Sequence, residues 1–284
     1  RQMMAKLARQ PSYLVHRFSP HEKETPALMI SGLSYQYNSH KALDEVSFEV
    51  NLGERLAVVG PNGAGKSTLF KIIAGVTRPS QGMVSVYGHE PSGHICIAYV
   101  PQRSQVDWNF PVSVADVVMM GRISKMGPLR WPRHQDWEIV HSALQEVGMD
   151  HLAGSGIGEL SGGQQQRVFI ARALAQEAEL ILMDEPLTGL DQATQDDLFH
   201  ILDRLRAHQV TILVALHDLK IAAERFDRVM LLNRKLVGIG TAEQVLTASS
   251  LQEAYGGHLR LVPTTEGTLI LEDTCCGEGE HNHA

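Results

Sequence analysis

The sequence predicts an α/β protein whose mostly parallel sheet is covered by helices on both faces. Two observations carry that prediction. Short, nearly continuous apolar runs of strand length alternate with longer amphipathic segments, and turn-forming residues mark the joins between them. The pattern opens at "ALMISGLSYQY". "VSFEV" (46–50) and "RLAVVG" (55–60) read as strands around an Asn-Leu-Gly turn, and "KSTLFKIIAG" (66–75) reads as a helix ended by Gly75. Two further strands are expected near 83–87 and 95–100. A helical middle follows, with pieces near 113–121, 135–147 and 162–176. It is interrupted by "KMGPLRWPR", whose Gly and Pro residues break any periodicity. The alternation then resumes with strand 180–184, helix 192–208, strand 210–216, helix 218–224 and strand 228–232.

These segments define one domain over 27–256, with a helical subdomain at about 103–176. Residues 1–26 are expected to form a flexible extension. After about residue 256 the pattern weakens, and "EDTCCGEGEHNHA" in the 257–284 segment reads as a flexible tail. No internal repeat is visible.

Of the 284 residues, 43% are apolar and 20% charged, the composition of an ordinary globular protein with a sizeable core. The apolar runs "RLAVVG", "ICIAYV" and "TILVAL" are strand-sized, far short of the roughly 18 residues a membrane-spanning helix needs. The net charge is -7 and the basic residues are dispersed, so neither nucleic acid nor a polybasic membrane contact is expected. Membrane association would come through a protein partner. Cys96 lies in an apolar run and Cys275 and Cys276 are adjacent, which is no disulfide framework and suits a reducing cytosol. The N-terminal stretch lacks an apolar core long enough for a secretory signal and carries Glu22 and Glu24.

"GPNGAGKST" comprises Gly60, Pro61, Asn62, Gly63, Ala64, Gly65, Lys66, Ser67 and Thr68. It fits the phosphate-binding pattern G-x-x-x-x-G-K-[ST] and lies between an expected strand and an expected helix, the context that supports such a match. The glycines let backbone N–H groups approach phosphates, Lys66 can reach the β and γ phosphates of ATP, and the Ser67 hydroxyl can ligate Mg²⁺. "LILMDEP" ends an apolar strand in Asp184, placed to hold the Mg²⁺ shell, followed by Glu185, placed to orient or deprotonate an attacking water. An acidic pair capping a strand is the plainer account of those two. In "LSGGQQQR", Ser161 with Gln164 reads as a helix capping box. That leaves Gly162 and Gly163 unexplained, because paired glycines weaken a first helical turn and make sense where a ligand must come close to the backbone.

The phosphate loop, then "LSGGQ", then "LILMDE" together resemble the ATP-binding cassette (ABC) ATPases over about residues 27–240. The resemblance implies a P-loop NTPase (RecA-like) core, an antiparallel β subdomain and an inserted helical subdomain. It further implies that Tyr37 stacks on adenine, with an ordinary strand tyrosine as the alternative because Tyr35 is close by. Gln102 in "YVPQ" is similar to the glutamine that senses the metal and γ-phosphate and passes the signal to the helical subdomain. Asp191 in "TGLD" is similar to the dimer-contact aspartate. His217 follows "VTILVAL", at the carboxyl edge of a parallel sheet, and resembles the switch histidine that contacts the γ-phosphate and supports Glu185. The resemblance implies a head-to-tail homodimer, in which Ser161, Gly162, Gly163 and Gln164 of one copy close over the phosphates held by Lys66 of the other.

"VDWNFP" (106–111) answers no need of ATP chemistry. Trp108 and Phe110 could fill the subdomain core. As a longer string, "AYVPQRSQVDWNFPVSVADVVMMGR" resembles the manganese, zinc and iron uptake branch of the family, where this region faces the membrane partner. The implied function is the ATPase subunit of a prokaryotic importer of divalent metal ions, manganese first and zinc or iron as alternatives. It would lie on the cytoplasmic face of the membrane, with a separate integral-membrane permease and an extracytoplasmic metal-binding receptor. Cys275, Cys276, His281 and His283 suit a transition metal, although they make no standard zinc pattern, and a tail without function is the competing account. Import of iron-siderophore, haem or cobalamin is the alternative cargo. A non-transport role on DNA or ribosomes is disfavoured, because the interval from Lys66 to Ser161 holds no long coiled coil and only one cassette is present.

Overall fold

Strands buried on both faces must be apolar throughout, and the order of such strands decides which residues meet. The computed structural model describes residues 25–37, 40–91, 96–126 and 131–256, together with the backbone of two strands beyond them. The elements in chain order are β1 (Leu28–Tyr37), β2 (His40–Val50), β3 (Arg55–Val59), α1 (Lys66–Ile73), β4 (Gln81–Val86), β5 (Ile97–Val100), α2 (Val114–Met119), α3 (Ile123–Met126), α4 (His134–Glu146) and α5 (Gly162–Ala175). They continue with β6 (Leu180–Asp184), α6 (Gln192–Ala207), β7 (Thr211–Leu216), α7 (Leu219–Arg225), β8 (Arg228–Asn233), β9 (Lys235–Gly240), α8 (Ala242–Val245), α9 (Ala248–Tyr255), β10 (Leu259–Pro263) and β11 (Leu269–Asp273).

The central six-stranded sheet has the order β5-β6-β7-β3-β8-β9, parallel except for β9, which runs antiparallel to β8. β3, β6 and β7 are buried at every position, which accounts for their unbroken apolar text. A second, three-stranded antiparallel sheet of order β2-β1-β4 packs beside it. Along β2, Leu43, Val46, Phe48 and Val50 are buried while Glu45, Ser47 and Glu49 are not, the period-two pattern of a sheet with one wet face. The expected strand at 46–50 is the inner half of this longer one.

The two faces of the central sheet carry separate cores. On one side Leu56, Val58, Leu180, Leu182 and Leu213 pack with α1 and the antiparallel sheet. On the other side Ala57, Val59, Ile181, Met183 and Val214 pack with the helical subdomain and α6. No helix among the described residues is long and apolar enough to cross a membrane.

Several elements are absent from the sequence reading. β9 follows β8 through Arg234, a non-glycine residue in the left-handed conformation (φ 58°), so the usual Asn-Gly signal of a tight hairpin is missing. α8 and α9 extend the order to Tyr255. In the segment read as a tail, β10 and β11 pair antiparallel from Leu259↔Asp273 to Pro263↔Leu269. Cys275, Cys276, His281 and His283 lie outside the described residues, as do 1–24.

The helical subdomain is fastened by one buried cation. Arg122, 5% exposed, donates to Asp136 of α4 (3.2 Å), to Glu177 beyond α5 (3.0 Å) and to the Ala175 carbonyl (2.9 Å). Lys125 also bonds Glu177. Burial alone pushes the Glu177 carboxyl up, but Lys125 and Arg122 prevail and hold its pKa below the ordinary 4.5. A carboxylate with a depressed folded pKa adds stability that is complete above the unfolded value and is lost as pH falls through the folded one. Acidification below about pH 4.5 should therefore lower the urea midpoint of the wild type more steeply than that of Glu177→Gln. Arg122→Ala, which takes the guanidinium from two partly buried carboxylates and leaves Glu177 to Lys125 alone, should cost about 1–3 kcal/mol at neutral pH. Equal acid slopes in wild type and Glu177→Gln would dismiss the clasp.

Candidate nucleotide-binding site

Parallel strands point their carboxyl ends at one edge, so the residues that follow them converge. In this sheet the neighbours β5, β6, β7 and β3 are followed by Gln102, Glu185, His217 and Gly60 respectively. The order of strands therefore collects four sequence-distant segments at one place.

The phosphate loop leaves β3 at Gly60 and enters α1 at Lys66. Gly65 has φ 99°, and a Cβ there would stand 2.5 Å from the Ala42 carbonyl oxygen and 2.8 Å from Leu43 Cδ2. Only glycine fits between the loop and β2. From the other side the Arg234 amide donates to the Ala64 carbonyl (2.8 Å), while the Asp44 amide donates to the Arg234 carbonyl (2.8 Å). The loop is thus clamped between β2 and the β8–β9 turn. No side chain caps α1, which leaves its first-turn amides to an anion. Lys66 is 5% exposed and donates to the carbonyls of Gly60 (2.6 Å) and Pro61 (3.2 Å). Burial lowers its pKa, opposed by the nearby charges of Glu185 and Asp184.

Asp184 is 1% exposed. Its Oδ2 accepts from the Tyr99 hydroxyl (3.2 Å), whereas Oδ1 is buried with no hydrogen-bond partner. Burial raises its pKa, and the hydroxyls of Ser67 and Tyr99 beside it work against that rise. Glu185 adopts a left-handed backbone (φ 51°) in the turn after β6, a strained conformation for a residue with a side chain. Its carboxylate is held at both oxygens: Gln102 Nε2 donates to Oε2 (2.7 Å), and His217 Nε2 lies 2.5 Å from Oε1.

Tyr37 is half exposed at the end of β1, paired with His40 and in edge contact with Tyr35 at 4.7 Å between ring centroids. Ser161, Gly162, Gly163, Gln164 and Asp191 form a separate group at the starts of α5 and α6. Among the described residues no hydrogen bond joins that group to Lys66, Asp184 or Glu185. The expected capping box is present: the Gln164 amide donates to Ser161 Oγ (3.3 Å) and the Ser161 amide to Gln164 Oε1 (2.8 Å). A Cβ on Gly162 would crowd the end of a side chain, Arg103 Nη1 at 2.8 Å, with Leu190 Cδ2 at an ordinary 3.6 Å. On Gly163 it would stand 2.2 Å from Thr194 Cγ2, so α5–α6 packing within the chain already requires that glycine. Asp191 caps α6, accepting from the Thr194 amide (3.0 Å) and hydroxyl (2.9 Å).

Two contributors escaped the sequence reading. Tyr99 sits one residue before the Val100 end of β5, opposite Leu182, and simple strand alternation would have placed it on the face that ends in Asp184. Arg103 donates from Nε to Gln165 of α5 (2.8 Å), and its carbonyl accepts from the Trp108 indole (2.9 Å). The alternatives for "VDWNFP" divide between its aromatics. Trp108 packs edge-on against Phe169 of α5 at 5.5 Å, whereas Phe110 is 57% exposed on a groove of about 420 Å³ lined also by Pro111, Ile157 and Glu159.

The family profile for ABC transporter matches residues 43–188, which contain the loop, Gln102, Ser161–Gln164, Asp184 and Glu185. The chain belongs to the ABC transporter family. It is an ATP-binding subunit of that family and an ATPase. It is 44% identical over 253 residues to the chelated iron transport system membrane protein YfeB of Yersinia pestis, covering 87% of this chain and 85% of the relative. It is 43% identical to the manganese transport system ATP-binding protein MntB of Bacillus subtilis (81% of this chain, 92% of the relative). The zinc transport system ATP-binding protein TroB of Treponema pallidum is also 43% identical (82% and 88%). Among solved structures, an inward-facing metal-chelate type ABC transporter matches with TM-score 0.73 at 31% identity, covering 87% of this chain and 96% of that one. A nucleotide-free cassette matches with TM-score 0.72 at 27% identity (82% and 100%).

The Gly163–Thr194 contact has a measurable cost. Gly163→Ala should lower stability by roughly 1–3 kcal/mol through overpacking. Adding Thr194→Ser removes the clashing methyl, keeps the hydroxyl on Asp191 and should return most of that loss in urea denaturation. A double variant no more stable than the single one would show that the contact does not set the requirement.

Proposed function

We propose that this ATPase powers import of a divalent metal ion, manganese first and zinc or iron as alternatives, through a separate permease. The observation that carries the chemistry is Glu185, held between Gln102 and His217 next to the phosphate loop. The cargo rests on the relatives named for manganese, zinc and iron transport together with the "VDWNFP" string. Among the described residues no group of three or more His, Cys, Asp or Glu side chains could hold a metal; Cys275, Cys276, His281 and His283 lie outside them.

ATP would lie with its phosphates along Gly60–Thr68 and its adenine on Tyr37. Lys66 exchanges its loop carbonyls for the β and γ phosphates. The residues fit Mg²⁺: Asp184 presents a buried oxygen without a donor, and the Ser67 hydroxyl and Gln102 amide oxygen complete a hard oxygen set. Bound there, Mg²⁺ supplies neutralisation of phosphate charge. Glu185 orients a water and takes its proton as the water oxygen bonds the γ-phosphorus and the bond to the β–γ bridging oxygen breaks, giving ADP and phosphate. His217 steadies Glu185 and reaches the γ-phosphate.

Among the described residues Ser161, Gly162, Gly163 and Gln164 make no hydrogen bond to Lys66, which is compatible with completion of each site by a second copy, with Asp191 at the contact. The Phe110 groove is where the permease would dock, at the cytoplasmic face of the membrane; a metal-binding receptor outside would deliver the ion. A chelated metal is the second reading, favoured by the iron-chelate relative and the metal-chelate structure.

Glu185→Gln should bind ATP as the wild type does and hydrolyse it at least about 100-fold more slowly. Turnover within a few-fold of wild type would remove Glu185 from its role. Cells lacking the subunit should lose uptake of one of Mn, Zn or Fe, restored by wild type and not by Lys66→Ala. Unchanged free-ion uptake with lost chelate uptake would move the cargo to the second reading.

A further inference from the structure

One buried contact of the site is unused by that chemistry. β5 and β6 are parallel neighbours with Tyr99 opposite Leu182. Side chains alternate along a strand, so Ile97 and Tyr99 share a face with Leu180, Leu182 and Asp184. The Tyr99 ring therefore lies beside β6 one alternation short of Asp184, and its hydroxyl reaches Asp184 Oδ2 at 3.2 Å. The other oxygen, Oδ1, is buried with no partner. One carboxylate thus has one oxygen occupied and one held open.

A phenol that merely needs a partner can take a main-chain carbonyl, as Tyr87 does from the same core with its hydroxyl on the Glu179 carbonyl (2.9 Å). Tyr99 instead donates to a carboxylate, and a donor on one oxygen fixes the rotation of the whole group. The backbone of Tyr99 is itself held, because Arg172 Nη2 donates to its carbonyl (3.2 Å). Arg172 in turn lies 5.0 Å over the Phe169 ring. The phenol approaches Asp184 from a strand anchored to α5.

We propose that Tyr99 is a positioning residue: its hydroxyl pins Oδ2 of Asp184 so that Oδ1 alone faces the nucleotide-bound cation. This rests on the reading of Asp184 as a ligand of that cation. Groups that orient a metal ligand from behind commonly change affinity for the metal by tenfold or more when removed.

The test uses the full chain and Mn²⁺ as a spin-active stand-in for Mg²⁺, counting only Mn²⁺ binding that depends on added ATP. Tyr99→Phe deletes one oxygen and should raise the Mn²⁺ concentration for half-saturation about tenfold, with ATP affinity in EDTA unchanged. Mn²⁺ affinity within twofold of wild type would overturn the proposal. An equal loss of ATP affinity in EDTA would also overturn it, since the hydroxyl would then serve the loop as a whole. Asp184→Asn separates the two levels of inference. If it leaves Mn²⁺ binding intact, the ligand assignment fails; if it weakens binding while Tyr99→Phe does not, only the role of Tyr99 fails. As a second variant, Tyr99→Leu should match Tyr99→Phe in Mn²⁺ affinity, because only the hydroxyl matters.

Discussion

The acidic end of β6 is the constraint on which the rest of the site depends. Asp184 and Glu185 place two carboxylates side by side at the end of a strand with no solvent on either face. Burial and mutual repulsion both disfavour such a pair. The surroundings answer each oxygen separately: Tyr99 on Asp184 Oδ2, Gln102 and His217 on Glu185, and Lys66 nearby as the compensating charge. The single oxygen left over is the one position where added positive charge gains most. A polyphosphate entering beside two carboxylates brings more negative charge than Lys66 can balance. On the proposed reading, a cation arriving with the nucleotide would offset that excess.

The same logic explains why the loop is clamped from two sheets. A phosphate cradle made of backbone amides works only if those amides are held in place before the anion arrives. Ala42 closes on Gly65 from the antiparallel sheet, and Arg234 bonds Ala64 from the turn of the central one. The antiparallel sheet thus positions the loop. Arg234 accepts a left-handed backbone to make its contact, so backbone strain is found at both Arg234 and Glu185, the two turns that shape this edge of the sheet.

Much of this was legible because the chemistry is local in sequence. The loop needs nine consecutive residues, the capping box four, and the buried strands announce themselves by lacking polar positions. What was not legible depends on contacts between distant segments. Gly163 looked like a ligand requirement and has a packing partner thirty-one positions away in Thr194. β9 was hidden because Arg234 replaces the expected turn glycine. Tyr99 could have been found by carrying strand alternation one step further, whereas Arg103 could not, since nothing in its neighbourhood announces Gln165.

The segment from Gln102 to Phe110 shows how a string remote from ATP chemistry can still be constrained by it. Gln102 is bonded to Glu185, Arg103 to Gln165 near the start of α5, and Trp108 to both the Arg103 carbonyl and the Phe169 ring. A shift of Gln102 toward or away from Glu185 must therefore be shared with α5, because the next residue is tied to that helix. Phe110 lies outside this bonding and exposes its ring two residues after Trp108 anchors the segment. Trp108 and Phe110 both line the groove, so the residue that anchors the segment also shapes the surface proposed for docking. A sequence string of this kind can report its membrane partner without any of its residues touching the cargo.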